Sequence, residues 1–314
     1  MVVNILLFFL GTIFLYYGAE FLITGSKTVA GKYKISPLVV GITLVAFGTS
    51  LPELIVSIFA NLQDESGIVV GNVMGSNIAN IGLVLGATVL VKPIHFTFTK
   101  IKYDLWFMLG ITLLTLVFIY QGALGFWQGI IFLSLLAGYI YHLTIHDHVE
   151  AEMEESQDAG TSLITAIKII LGIAGLGIGA HFFVLGAKGI AIALGVSTLV
   201  IGMSIVALGT SLPELAASLA AAKHGEAGFV IGNIIGSNII NLVAVLGITI
   251  LVQPIPILFT HVSIQSIFLL GLTLFLVLIL KKMNGIPKIS GYFLLAMYAT
   301  FLILNFQPEM VLND

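Results

Sequence analysis

GTSLPE stands at residues 48–53 and again at 209–214, and GSNIAN at 75–80 returns as GSNIIN at 236–241. Every match keeps one offset of 161 residues. Between 41–91 and 202–252, 28 of 51 positions are identical with no gap. Each copy sets one carboxylate, Glu53 or Glu214, inside a long apolar run. An acid at bilayer mid-depth costs about 2.5–3.5 kcal/mol to insert. Two such acids, kept by two copies of one unit, predict a single cation site shared at a pseudo-symmetric interface.

Composition sets the solvent. Of 314 residues, 59% are hydrophobic and 9% charged, with mean hydropathy +1.14. A soluble domain of this size has too little core to hide so many apolar side chains, so the lipid bilayer must cover them. The absence of cysteine excludes disulfides and thiolate metal sites. A net charge of −3 without a basic patch gives nucleic acid no footing. All 12 basic residues are lysine. The N-terminus lacks a basic leader region and a small-residue cleavage site, and reads as a retained first helix.

Apolar runs of helix length fall near 3–25, 37–61, 67–91, 103–120, 125–142, 163–186, 198–222, 227–251, 262–280 and 290–306. A spanning helix needs about 20 apolar residues, so the expected fold is an all-α integral membrane protein of ten transmembrane helices. Five spans precede the offset point and five follow. A unit with an odd number of spans re-enters the membrane upside down, which predicts two inverted five-helix repeats with broken helices at the midplane. Residues 1–145 form the first repeat and 162–314 the second.

With the N-terminus outside, Lys27, Lys32, Lys34, Lys92, Lys100, Lys102, Lys223, Lys281, Lys282 and Lys288 fall in cytoplasmic loops, Lys168 lies near that side, and Lys188 alone is left outside. The positive-inside rule therefore predicts two extracytoplasmic termini in a multi-pass cell-membrane protein. The joining segment 146–161 carries His146, Asp147, His148, Glu150, Glu152, Glu154, Glu155 and Asp158. It reads as a solvated linker, with a weak regulatory cation site as the alternative, although no EF-hand spacing is present.

The repeated motif has the chemistry of a hard-cation site. Pro52 has no N–H, and its ring crowds the preceding turn, so the Gly48 carbonyl loses its helical partner. Backbone oxygens freed at mid-membrane are tolerated where they face a cavity or an ion. Thr49, Ser50 and Glu53 supply further oxygens within one turn, and Thr210, Ser211 and Glu214 do the same in the second copy. Oxygen donors of this kind suit Ca²⁺ and Na⁺. Ser50-x-x-Glu53 is also a capping box with Pro52 in the first turn, so the motif has a second reading as a restarted, capped helix.

The partner motif lies on the third and eighth spans. Gly67, Gly71 and Gly75, like Gly228, Gly232 and Gly236, form small-residue faces that let helices approach. Ser76, Asn77 and Asn80, with Ser237, Asn238 and Asn241, put hydroxyls and amides beside those faces. Asn80 and Asn241 either line the site or staple helices together. Glu20, whose offset partner is His181, is expected at the outer interface or in a local bond, and Asp104 at an interface. The other histidines lie in loops or at helix ends, and none falls in the two motifs, which argues against a histidine proton relay.

With these residues in view, the chain resembles the cation/calcium exchanger superfamily, and its two motifs, GTSLPE…GNVMGSNIAN and GTSLPE…GNIIGSNIIN, are similar to those of prokaryotic sodium/calcium exchangers. The resemblance implies exchange of Na⁺ for Ca²⁺ by alternating access, without a cofactor and by a monomer. It implies that Glu53 and Glu214 serve both ions. It implies backbone oxygens from Thr49, Thr210, Ala46 and Ala207, and help with Na⁺ from Ser50, Ser76, Ser211 and Ser237. It also implies that the first and sixth spans slide over a static core. Some relatives carry Asp at the position of Asn241, and the two asparagines here make potassium dependence less expected. Two carboxylates balance one Ca²⁺, so the three Na⁺ that the family suggests would make the cycle electrogenic.

The alternative within the class is a cation/proton exchanger, with a protonated glutamate in place of Na⁺. A passive channel would need no counter-ion. An intramembrane hydrolase lacks its base beside these serines, and no GxSxG is present.

Overall fold

The computed structural model describes residues 1–146, 162–194, 207–283 and 285–305. The acidic linker of the sequence reading falls almost wholly outside these residues.

Helix α1 (Val2–Tyr33) runs eight residues past its expected end and stops at Lys34, whose left-handed backbone turns its N–H onto the Ala30 carbonyl. The apolar run ended at 25 because Lys27 and Lys32 interrupt it, yet charged tips at a helix end leave the helix intact. Ser36 then caps α2 (Pro37–Thr49): its hydroxyl accepts from the Val39 N–H at 3.2 Å, with Pro37 at the first helical position. Ser50 breaks the span at φ −84°, ψ 4°, and α3 (Leu51–Asn61) leaves at 44° to α2. Next come α4 (Ser66–Val91), β1 (Ile94–His95), α5 (Phe98–Tyr120), β2 (Ala123–Leu124) and α6 (Phe126–His146).

The second half follows with α7 (Ser162–Ala193), α8 (Ala207–Gly209), α9 (Leu212–Lys223), α10 (Ala227–Val252), β3 (Ile255–Pro256), α11 (Phe259–Met283), β4 (Gly285–Ile286) and α12 (Lys288–Asn305). The first nine residues of the expected span at 198–222 precede Ala207 and lie outside the described residues. Among the described residues, seven helices are long and apolar enough to cross a membrane, or eight with α2 and α3 as one bent span. Large apolar side chains face outward on several of them, including Phe9, Trp127, Leu163, Ile267 and Ile289. A monomer in water does not expose that much apolar surface, whereas lipid covers it at no cost.

Among the described residues, three spans carry a wider, π-helical turn, at Gly41–Val45, Asn80–Leu85 and Asn241–Val245. The last two open on the paired asparagines, and such turns are rare and concentrate at functional sites. Two short antiparallel ladders tie the halves together. Ile94 pairs with Ile286 and His95 with Gly285, while Ala123 pairs with Pro256 and Leu124 with Ile255.

The closest backbone approach is between α1 and α7. Gly11, Gly18 and Gly25 are seven apart, as are Gly172, Gly179 and Gly186, and the two sets are related by the offset. The helices run antiparallel with these glycines in the seam. A Cβ at Gly18 would lie 2.7 Å from the Leu176 nitrogen, one at Gly179 2.7 Å from the Leu15 nitrogen, and one at Gly172 2.6 Å from the Leu22 nitrogen. Any side chain there would force the backbones apart.

α4 and α10 form the buried middle. Gly228, Gly232 and Gly236 of α10 press on α2: a Cβ at Gly232 would sit 2.9 Å from the Gly41 Cα. The matching face of α4 behaves differently, since no described atom lies within 4 Å of a Cβ built at Gly67, Gly71 or Gly75. The offset places their packing partners at 198–207, mostly outside the described residues.

Candidate functional site

The two helix breaks are built alike. Ser211 takes φ −84°, ψ 2°, almost the values of Ser50, and each serine precedes Leu-Pro-Glu at the start of a helix. Neither hydroxyl caps its own helix, so the capping-box reading is not realised. The Ser50 hydroxyl instead donates to Glu214 Oε1 of the other half at 3.3 Å. The proline removes a donor at the break and leaves the serine free to reach across.

Other contacts across the halves surround this one. The Thr49 hydroxyl donates to Asn233 Oδ1 at 3.3 Å and lies 3.5 Å from Ser237 Oγ. Ser76 Oγ lies 3.5 Å from Thr210 Oγ1. Glu53 and Glu214 are both fully buried and lie within each other's electrostatic reach. Neither Glu53 oxygen has a hydrogen-bond partner among the described residues. The same holds for Glu214 Oε2, the Ser211 hydroxyl, and both amide atoms of Asn80 and of Asn241. Buried polar atoms are nearly always paired, and each exception needs a cause. Ser26 and Thr88 each add an unpaired hydroxyl, and the other unpaired atoms belong to residues that the repeat singled out.

The Ala46 carbonyl accepts from the Ser50 N–H at 3.0 Å and from the Thr49 hydroxyl at 3.3 Å. At the second break the corresponding bond runs from the Ser211 N–H to Leu208, at 3.1 Å, and bypasses Ala207. Asn77 and Asn238 lie in the same helices. Asn238 donates back to the Ile234 carbonyl at 2.7 Å. Among the described residues no group of three or more His, Cys, Asp or Glu side chains gathers to hold a metal. The donors are two carboxylates with hydroxyls and amides, a hard-oxygen set.

Sequence reasoning missed the residues that anchor the glutamates. The Asn72 amide donates to the Glu53 carbonyl at 3.1 Å and to Ser57 Oγ at 3.0 Å. Asn233 repeats this on the Glu214 carbonyl at 3.3 Å and Ser218 Oγ at 2.9 Å. The signal was present: Gly71-Asn72 and Gly232-Asn233 are identical at the offset, as are Ser57 and Ser218. One expectation is corrected. The Glu20 carboxylate makes no local bond among the described residues; it accepts from Lys223 at 3.1 Å and meets His224 Nε2 at 2.6 Å, both in the other half. Asp104 is buried, and its Oδ1 accepts from the Tyr139 hydroxyl at 2.7 Å.

Two fully buried acids from opposite halves, set among cross-bonded hydroxyls in apolar helices, define a membrane protein built for ion transport. A family model described as sodium/calcium exchanger protein matches residues 3–145 and 164–307. The chain belongs to the sodium/calcium exchanger family. Sodium/calcium exchanger MaX1 of Methanosarcina acetivorans is 31% identical over 349 aligned positions, covering 97% of this chain and 99% of its own. Uncharacterized membrane protein MJ0091 of Methanocaldococcus jannaschii is 36% identical, covering 93% and 94%. The fold is similar to solved structures of the sodium-calcium exchanger NCX_Mj. The form soaked with 2.5 mM Na⁺ and 0.1 mM Ca²⁺ gives a TM-score of 0.84 at 32% identity, covering 98% of this chain and all of that one. The form without Na⁺ and Ca²⁺ gives 0.85 at 34%. MaX1 and NCX_Mj are described as exchangers, a class of transporter.

Proposed function

We propose that the chain is a secondary active transporter that exchanges Na⁺ for Ca²⁺ by alternating access, with Glu53 and Glu214 holding either cargo. One observation carries this reading: the two buried acids come from opposite halves and, like the amides of Asn80 and Asn241, keep polar atoms without a hydrogen-bond partner among the described residues. A dehydrated cation supplies what those oxygens lack. Thr49, Ser50, Ser76, Thr210, Ser211 and Ser237 add hydroxyls, and Ala46 and Ala207 backbone oxygens. The hydroxyls bridge the halves, so a change in cargo is felt by both.

The transporter has ten spans in two inverted halves. Three features support this. α4 and α10 have the same bounds at the 161-residue offset, and so do β1 and β3. α6 and α12 overlap at the same offset, with their first residues one position apart. Each ladder joins a loop of one half to a loop of the other, the pairing expected when both loops lie on one membrane face. Lysine placement then puts both termini outside a cell membrane, and a monomer contains the whole site.

α1 packs along α9, whereas the exchanged pair, α7 with α3, lacks comparable packing. The state described is therefore shut on the face where α9 ends, which the orientation makes cytoplasmic. The family includes candidate antiporters of other description, among them CaxA of Alkalimonas amylolytica, 36% identical over 317 positions. The test is ⁴⁵Ca²⁺ uptake into proteoliposomes. An outward Na⁺ gradient should drive it and a pH gradient alone should not; uptake driven by pH alone would overturn the sodium reading. With three Na⁺ per Ca²⁺, one charge crosses per cycle. Each 100 mV then biases exchange by about 2.3 kcal/mol, and a valinomycin-set potential reads this as a change in uptake.

A further inference from the structure

Lys27 Nζ on α1 lies 2.7 Å from Glu226 Oε1 in the turn between α9 and α10. Under the exchange of halves, Lys27 maps to Lys188 on α7, and Glu226 to Glu65 in the turn between α3 and α4. Both mates keep their identity, although the neighbours of Glu65 do not: Leu62, Gln63 and Asp64 stand where the second half has Lys223, His224 and Gly225. Lys188 and Glu65 are both exposed, and no ion pair joins them in this state. The helix packing differs in the same sense, since α1 lies against α9 while α7 lacks comparable packing with α3.

We propose that Lys27–Glu226 and Lys188–Glu65 are two forms of one charge latch, made alternately as α1 and α7 close one face or the other. This rests on the alternating-access reading above. Both members of the formed pair are partly exposed, at 43% and 24%. Pairs of that kind are individually weak, which suits a contact broken in every cycle. The face shut here carries a further clasp. Glu20 holds Lys223 and His224, and the Tyr16 hydroxyl meets Lys223 Nζ at 2.9 Å. The offset replaces Glu20 by His181 and Tyr16 by Gly177, so the opposite face has no such clasp. The latch is symmetric in sequence and the clasp is one-sided, which biases the protein toward the state described.

The chain has no native cysteine, so paired cysteines report without background. Lys27→Cys/Glu226→Cys and Lys188→Cys/Glu65→Cys proteins are treated in proteoliposomes with a short reducible bis-methanethiosulfonate, across a series of Na⁺ and Ca²⁺ conditions. The first pair should link where the second does not, and the ion conditions that favour one should disfavour the other. Adding Glu20→Gln should raise linking of the second pair several-fold. In a protein carrying all four cysteines, one link per molecule should be the rule. Two links accumulating in the same molecule would overturn the proposal, as would a Lys188–Glu65 pair that never links while transport continues. Charge exchange gives an independent reading: Lys188→Glu should slow turnover, and Lys188→Glu with Glu65→Lys should restore it. A double exchange no better than the single change also refutes the latch. Linking reports geometry whatever ion crosses, so proton-coupled transport would sink the sodium assignment and leave these outcomes intact.

Discussion

Replacing Glu53 by Gln changes almost no volume and removes one of two buried charges. Its carboxylate is fully buried, and neither oxygen has a hydrogen-bond partner among the described residues. The remaining acid, Glu214, still accepts from Ser50 and leaves a divalent ion with one unit of charge unbalanced. Removing one partner from a buried, hydrogen-bonded charge pair costs about 3–5 kcal/mol. At about 1.4 kcal/mol per tenfold, this weakens Ca²⁺ binding roughly 150- to 4,000-fold. Isothermal titration of the purified protein in detergent measures it, and a thermal melt checks folding. The melting temperature of the ion-free variant should hold or rise, because an uncompensated buried charge has gone. Calcium affinity within tenfold of the parent, in a folded protein, would refute the placement of Glu53 at the ion.

Asn233→Ala removes three buried hydrogen bonds, those it donates to the Glu214 carbonyl and to Ser218 and the one it accepts from Thr49. At about 1 kcal/mol each it should lower the melting temperature by several degrees and weaken Ca²⁺ binding, and Asn72→Ala should do likewise on the Glu53 side. Gly18→Leu puts a Cβ 2.7 Å from the Leu176 nitrogen. It should destabilise by about 1–3 kcal/mol through overpacking and reduce exchange, whereas Gly110→Ala, where a Cβ meets nothing within 4 Å, should do neither. Asn241→Asp adds a third acid beside the pair and should shift the Na⁺/Ca²⁺ preference measured by competition uptake; an unchanged profile would place Asn241 away from the cargo.

The duplicated motif marked most of the residues that meet across the halves: Ser50 reaches Glu214, Thr49 reaches Asn233 and Ser76 lies by Thr210, and the fixed offset makes such a meeting of equivalent segments legible in the sequence. The serine's partner was not legible. Ser50-x-x-Glu53 fits a cap locally, and only tertiary structure turns the hydroxyl toward Glu214. The wide turns at Asn80 and Asn241 were hidden for the same reason, since an extra residue in a turn leaves apolar periodicity intact. Glu20 was misread because its partners lie more than 200 residues away. The glycines spaced by seven on α1 and α7 were in plain view, but a highly apolar helix gives no amphipathic stripe to mark its packed face.

That seam has a mechanical consequence. Backbones that approach closely at successive glycines along two antiparallel helices pack as one long seam that leaves no room for a side chain. Whatever moves one end of the pair moves the other by the same amount, as in a seesaw plank. A transporter driven by such a plank needs no sensor to keep both mouths from gaping together, and its tightness against leak is fixed by shape alone.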